Sequence, residues 1–439
     1  MPDRAEIRLG EYESRTLDAE QLTPRDVTRL HAIQARGCLT LRPDRASWRL
    51  TADATVGVLA LDRVRLVIEP KLAIPGEQLM AWLAYALGTP TPTAARRWTT
   101  AADGYADLVA AALLEQCEKL VRDGLRCDYV PRHSLEPVLR GRLDTAAQVT
   151  RRYGRLDQLH LRTFDRETDI WDNRVLGTAL RVALALAADS GLARDLKGIA
   201  EAFPQAPTPA AALRALDRVQ YTRLNSRYRA AHTWARLLLR GGGVTDLLAD
   251  RGISADGLLL PMPALWEAVV RRLAAEAAAG HGGRAVPSTG KADITILDDL
   301  GSTSTFRPDL LLSLPGRDPA RRVLLPVDAK YKRYDRHRVG AADIHQLLTY
   351  CAGYAPADAP DAVIVHPQPG GHAQRVARVE GPAGVLGVLH VLGVDTRTPP
   401  AQAVAWMRSA LPLGVGGPGT PLPARKDLSQ STGHLLGDR

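Results

Sequence analysis

The sequence predicts a multidomain α+β chain, with a β-rich N-terminal part, a helical middle and a compact α/β unit toward the C-terminus. Three observations predict it. Short β-branched and apolar runs, separated by polar or Gly/Pro turns, fill the chain up to Pro70. From about Tyr105 to Arg240, apolar residues recur at helical spacing. From Leu258 to Leu413 the order becomes α-β-β-β-α-β-β, the pattern of an α/β layer structure. At 439 residues there is chain enough for two or three cores. The expected divisions are 1–98, 99–257 and 258–413; the tail 414–439 is rich in Gly, Pro and polar residues and is expected to be disordered.

The first strands are EIRLGEY, CLTLRP, SWRLTA, TVGVLALD and VRLVIEP. A helix interrupts them, with Thr23 as N-cap, Pro24 at its first position and Ala35 near its end. EQLMAWLAYALG begins the helical signal. Helices are then expected from Asp107 to Gly124, from an N-cap at Asp172 to a stop at Gly191, and from Val219 to Arg240 before Gly241-Gly242-Gly243. In the last part a helix over Pro263–Ala279 precedes the strands ADITILD, RPDLLLSL and RRVLLPVDAKYK. The helix ADIHQLLTYCAGY and the strands DAVIVHP and VLGVLHVLGVD follow.

Composition narrows the function classes. Lys and Arg outnumber Asp and Glu by 57 to 48, which permits a polyanionic partner without requiring one, since arginines are readily solvated. Four scattered cysteines show neither zinc-ligand nor disulfide spacing, so a reducing, cytoplasmic compartment is expected. No apolar run approaches the ~20 residues that span a bilayer, and no membrane partner is expected. Gly290-Lys291 is followed by Ala and lacks the upstream glycines of a phosphate-binding loop, so nucleotide hydrolysis by this chain is not expected.

The chemistry concentrates on two neighbouring strands. Asp309 opens an apolar strand after Arg307-Pro308, and Asp328 lies beyond a Gly316-to-Pro319 turn. That spacing suits adjacent antiparallel strands with the two carboxylates meeting across the ladder. Asp328 and Lys330, two apart, share a face, while Val327 points to a core. Two carboxylates, helped by the Ala329 carbonyl, suit Mg²⁺, and the lysine can orient water and offset phosphate charge, as phosphodiester hydrolysis requires. A bare D-x-K reads equally as a surface ion pair. The following helix tightens the case: Ile344, Leu347, Leu348 and Cys351 form its apolar stripe, and Gln346 and Tyr350 share another face near Asp343. Taken alone, Gln346 and Tyr350 read as a solvated i,i+4 pair.

The pattern P-D, D-A-K and Q-L-L-T-Y resembles the PD-(D/E)xK nuclease superfamily, and more narrowly the McrC family of McrBC-type modification-dependent restriction systems. Supporting segments are VGVLALDRVRLVIEPKL with its closing Pro-Lys, DGLRCDYVP, LRGRLD, DNRVLGTAL, YTRLNSRYRAA and PMPALWEAVVRRL. Trp266 stands where that family more often has Phe, a difference expected not to affect chemistry. The resemblance implies a restriction-endonuclease-like fold for 258–413 and a partner-binding role for 1–98. It implies Asp309 and Asp328 as metal ligands, Lys330 as the catalytic lysine, Gln346 and Tyr350 as residues that support the site or contact the substrate backbone, and Glu267 as an auxiliary acid. Glu267 also reads as an ordinary ion pair with Arg271. The implied activity is Mg²⁺-dependent cutting of double-stranded, methylated DNA beside an AAA+ GTPase hexamer of the McrB type.

Arg140, Arg142, Asn173, Arg174, Asn225 and Arg227 lie in the matching segments and could contact the ring or the DNA, with helix capping and surface solvation the simpler reading. Of the basic clusters, Arg321-Arg322 and Lys330-Tyr331-Lys332-Arg333 are expected to flank the site; Arg151-Arg152 and Arg271-Arg272 are expected on solvated faces. Two other functions stay open: a non-catalytic activator of a motor ring, and a stand-alone DNA-repair nuclease.

Overall fold

The computed structural model describes residues 5–71, 74–92, 105–241, 257–287, 293–297, 303–316, 321–355, 360–382 and 384–412. The tail 414–439, most of the Gly316-to-Pro319 turn and Gly242-Gly243 lie outside them.

The N-terminal part holds β1 (Ala5–Gly10), β2 (Ser14–Asp18), α1 (Pro24–Gln34), β3 (Leu39–Asp44), β4 (Ser47–Ala52), β5 (Thr55–Ala60) and β6 (Val64–Glu69). β2, β4 and β3 form one antiparallel sheet. In a second, β6 lies between β1, its parallel neighbour, and the antiparallel β5. α1 starts as expected, with Thr23 and Asp26 bonding each other's backbone N–H in a capping box ahead of the Pro24 turn. Leu30, Leu39, Leu50 and Leu66 are fully buried between these elements.

The middle part contains α2 (Gly76–Leu87), α3 (Tyr105–Arg122), β7 (Asp128–Glu136), β8 (Arg142–Leu143), α4 (Thr145–Arg152), β9 (Leu159–Glu167), α5 (Trp171–Leu186), α6 (Ser190–Ala200), α7 (Pro209–Arg218) and α8 (Arg229–Leu239). Three expectations are corrected here. The sheet β7-β9-β8 was not foreseen, because its strands leave Tyr129, Leu135 and Phe164 exposed among charges and show no buried alternation. The helix expected to run from Asp172 to Gly191 starts at Trp171 and breaks at Ala187, and Gly191 falls inside α6. Asp107 accepts the freed N–H groups of Ala188 and Asp189, and Asp189 caps α6 through the Leu192 N–H, so these groups keep partners across the break. Asp172 is no cap but the ion-pair partner of Arg126. Finally, the helix expected from Val219 begins only at Arg229, because Asn225 folds back on the Thr222 N–H and holds the preceding segment as a turn.

The last part runs β10 (Gly257–Pro261), α9 (Met262–Ala279), β11 (Arg284–Ala285), β12 (Ile294–Leu297), β13 (Thr303–Phe306), β14 (Leu310–Pro315), β15 (Arg322–Ala329), α10 (Ala341–Tyr354), β16 (Asp361–Gln368), β17 (Ala373–Gly381), β18 (Gly384–Asp395) and α11 (Pro400–Ala410). β10 pairs with β5 and completes the second N-terminal sheet. β12 and β13 form a hairpin of their own. The main sheet has the order β11-β14-β15-β16-β18-β17; β15, β16 and β18 are mutually parallel, and α10 is the crossover between β15 and β16. Val327, Val363, Val365 and Leu392 face α9 and α11 in a core shared with α2, α3 and α5. Ile364 and Leu389 face Leu347, Tyr350 and Cys351 of α10. β17, also unforeseen, is an edge strand whose charged residues mask its period. No described helix is long and apolar enough to cross a membrane.

Candidate active site

The β14–β15 register pairs Leu310 with Val327, which sets Asp309 opposite Asp328 where the two strands meet. Asp309 Oδ2 accepts the Ala329 N–H at 2.7 Å, so its carboxylate is laid across the ladder. Period-two alternation does the rest: Val327 is buried toward α9, and Asp328, 1% exposed, faces α10. Lys330 follows on the same face. Its Nζ lies 2.8 Å from Asp328 Oδ2 and donates to Gln346 Oε1 at 2.9 Å.

Gln346 is the hub of the site. Its amide nitrogen donates to the Tyr350 hydroxyl at 2.8 Å and to Asp328 Oδ1 at 3.3 Å, and Tyr350 in turn donates to the Arg307 carbonyl at 2.7 Å. The solvated-pair reading of Gln346 and Tyr350 is therefore set aside, since Tyr350 is 2% exposed. The stripe of α10 is corrected as well: Asp343, Leu347, Tyr350 and Cys351 are buried, while Ile344 and Leu348 are only half-buried. The helix can turn Asp343 inward because Tyr334 and Lys332 both bond its carboxylate.

Burial, then the charge of Asp309, pushes Asp328 up to about 6, against the pull of Lys330. Asp328 Oδ2 is buried, and the Lys330 ammonium 2.8 Å away is its partner. Two adjacent carboxylates, one of them buried and already drawing a cation, fit a small hard metal ion. Among the described residues no three His, Cys, Asp or Glu side chains converge on one point, so such a cation would keep several waters.

Trp266, on α9, donates its indole N–H to the Val365 carbonyl at 3.0 Å, and the same oxygen accepts the Lys330 N–H at 2.9 Å. The Trp is thus a support of the lysine's backbone, a role its sequence position did not signal. Glu267, one residue on, is paired with Arg271, whose Nε donates to the Asp309 carbonyl at 2.9 Å. Burial and the nearby Asp309 raise its pKa, so it sits in the field of the pair without bonding to it. A family model for the McrBC 5-methylcytosine restriction system component matches residues 50–367. The chain belongs to that McrBC family.

Two solved structures show what the McrBC fold of this chain is similar to. A chain of the refined half-complex from the tetradecameric assembly of Thermococcus gammatolerans McrB AAA+ hexamers with bound McrC is 17% identical, with a TM-score of 0.60 over 92% of this chain and 99% of that one. A chain of the Thermococcus gammatolerans McrBC complex is 20% identical over 61% of this chain and 87% of that one, with a TM-score of 0.44. No curated protein matches.

The basic residues of this McrBC-family chain divide by their partners. Arg322 does not flank the site: it begins β15, about 20 Å of strand from Asp328, and binds Ser313 and the Gly282 carbonyl. Lys332 is held by Asp343 and Arg333 by Asp335. Arg272 is not simply solvated, since it donates to the Tyr85 carbonyl and pairs with Glu276. Arg140 and Arg142 are exposed, Arg174 pairs with Asp169, and Arg227 holds the Asp123 and Gly124 carbonyls, in line with the simpler reading. Asn173 and Asn225 correct it: both are buried in internal bonds and neither side chain caps a helix. Arg336, His337 and Arg338, which sequence reasoning passed over, are exposed on the loop from Lys330 into α10. A cavity of about 510 Å³ among the middle helices, lined by Trp171, Arg214 and His232, shares no residue with this cluster.

Proposed function

We propose that this chain is the Mg²⁺-dependent DNA endonuclease subunit of a modification-dependent restriction complex, with 258–413 as a PD-(D/E)xK nuclease domain. The observation that carries the reading is the meeting of Asp309, Asp328 and Lys330 at the end of one antiparallel ladder, locked from α10 by Gln346. Membership in the McrBC family supports it.

Asp309, Asp328 and the Ala329 carbonyl would hold Mg²⁺. When bound, the metal supplies a Lewis acid and a water acidic enough to attack at neutral pH. Lys330, fixed between Asp328 and Gln346, would orient the attacking water and face the charge that develops on the phosphate as the new P–O bond forms and the bond to the leaving oxygen breaks. Arg336 and Arg338 lie on the exposed side, where a phosphate backbone would approach. Glu267 tunes the field beside Asp309 and stays paired with Arg271.

The Thermococcus assembly joins McrC to McrB AAA+ hexamers, and we infer a ring of that type as the partner, docked through 1–98. The substrate is inferred to be double-stranded DNA carrying 5-methylcytosine, and the compartment to be cytoplasmic. The test is cleavage of methylated and unmethylated DNA by the full chain, with and without Mg²⁺, an McrB-type ring and GTP. Cutting of methylated DNA that needs all three supports the proposal; no cutting under any condition overturns it.

A further inference from the structure

β1 and β6 run parallel and end level, with Gly10 opposite Glu69, so the residues just beyond them leave the sheet side by side. Both reach Tyr331, the residue after Lys330. Glu11, only 5% exposed, accepts the Tyr331 hydroxyl at 3.1 Å and the Lys71 N–H at 2.7 Å through Oε2, while its Oε1 is buried without a donor. Lys71 Nζ lies 4.7 Å from the ring centre of Tyr12 and 4.6 Å from that of Tyr331, and 3.5 Å from the Tyr331 carbonyl oxygen.

Tyr12 reaches this position at φ 65°, a left-handed conformation that a tyrosine seldom adopts, with its N–H tied to the Ala52 carbonyl at 3.0 Å. A strained residue and a half-satisfied buried carboxylate each cost free energy that the surrounding structure must offset, and the cation held between two rings is one attraction that helps to offset it. All three converge on the backbone that carries Lys330. The Pro-Lys that closes the β6 segment has no other task in the site described above.

We propose that Glu11, Lys71 and Tyr331 are positioning residues: they clamp the chain just beyond β15 to the ends of β1 and β6, so Lys330 meets Asp328 and Gln346 only while the N-terminal sheet is seated. The proposal rests on the reading of Lys330 as the functional lysine. It gives a partner that grips the N-terminal part a short mechanical path to the site, a single residue from the ammonium.

The test uses the full chain carrying Tyr331→Phe, Lys71→Met or Lys71→Arg, with cleavage of methylated DNA read after assembly with an McrB-type ring, Mg²⁺ and GTP. Amide exchange over residues 328–332, DNA affinity and single-turnover cleavage are measured for each. Tyr331→Phe and Lys71→Met should speed exchange at these amides and slow cleavage about tenfold at unchanged DNA affinity, because a reacting group misplaced by ~1 Å loses up to ~10²-fold. Lys71→Arg, which keeps a cation between the rings, should restore most of the rate. A contact that serves packing alone would lower the melting temperature and leave both readouts unmoved, and that result overturns the proposal. Unchanged exchange in Tyr331→Phe and Lys71→Met overturns it too. If the unmodified chain cuts no methylated DNA even with Mg²⁺, the ring and GTP, the nuclease reading fails, and the exchange arm still decides whether the clamp holds Lys330.

Discussion

Gln346 accepts the Lys330 ammonium on its amide oxygen at 2.9 Å, so a neutral side chain, and not a further carboxylate, fixes the lysine beside Asp328. An amide offers both an acceptor and a donor, and here the donor side is spent on Tyr350 and Asp328. Gln346→Leu should therefore leave the fold intact and slow single-turnover cleavage by about 10–100-fold, as loss of an outer partner does at metal sites. A rate within twofold of the unmodified chain would remove Gln346 from the site.

Asp328 makes stability depend on pH in a definite direction. Its pKa rises from 3.8 to about 6 on folding, so its contribution is fully present below pH 3.8 and is lost as pH rises through 6. Without metal at neutral pH, the ionised group costs the fold about 3 kcal/mol, an order-of-magnitude figure from that shift. In EDTA near neutral pH, Asp328→Asn should melt above the unmodified chain, and the advantage should vanish below about pH 4. Mg²⁺ should raise the melting temperature of the unmodified chain and not that of the variant. Melting curves across this range, with and without Mg²⁺, decide the matter.

Trp266→Phe removes one of two donors on the Val365 carbonyl and leaves the Lys330 N–H in place. The expected loss is about 1 kcal/mol of stability, read by denaturant unfolding, with little change in cleavage. A much larger loss of activity than of stability would mean that the indole positions Lys330 directly.

Glu267 is paired with Arg271 and lies within electrostatic reach of Asp309 and Lys330. Glu267→Gln should slow cleavage by no more than about tenfold, the low end for loss of an outer partner. Asp309→Asn should abolish it. Equal effects in a single-turnover assay would promote Glu267 to a ligand or a base.

Much of the site is written in local periodicities. Alternation placed Asp328 and Lys330 on one face and Val327 on the other, and a four-residue helical step brought Gln346 and Tyr350 together. What escaped depends on distant partners. Asp107 satisfies the break at Ala187 from far upstream, Lys332 and Tyr334 make an inward Asp343 tolerable, and Glu11 meets Tyr331 across 320 positions. Strands such as β7, β9 and β17 bury too little apolar surface to print a period. Arg322 looked close to Asp328 in the sequence, yet an extended strand carries six residues about 20 Å.

The most direct measurement compares the unmodified chain with Asp328→Ala/Lys330→Ala, each assembled with an McrB-type ring on methylated DNA with Mg²⁺ and GTP. The account predicts that the double variant still binds the ring and stimulates its GTP hydrolysis while cutting no DNA. Cleavage by the double variant at the unmodified rate would contradict it.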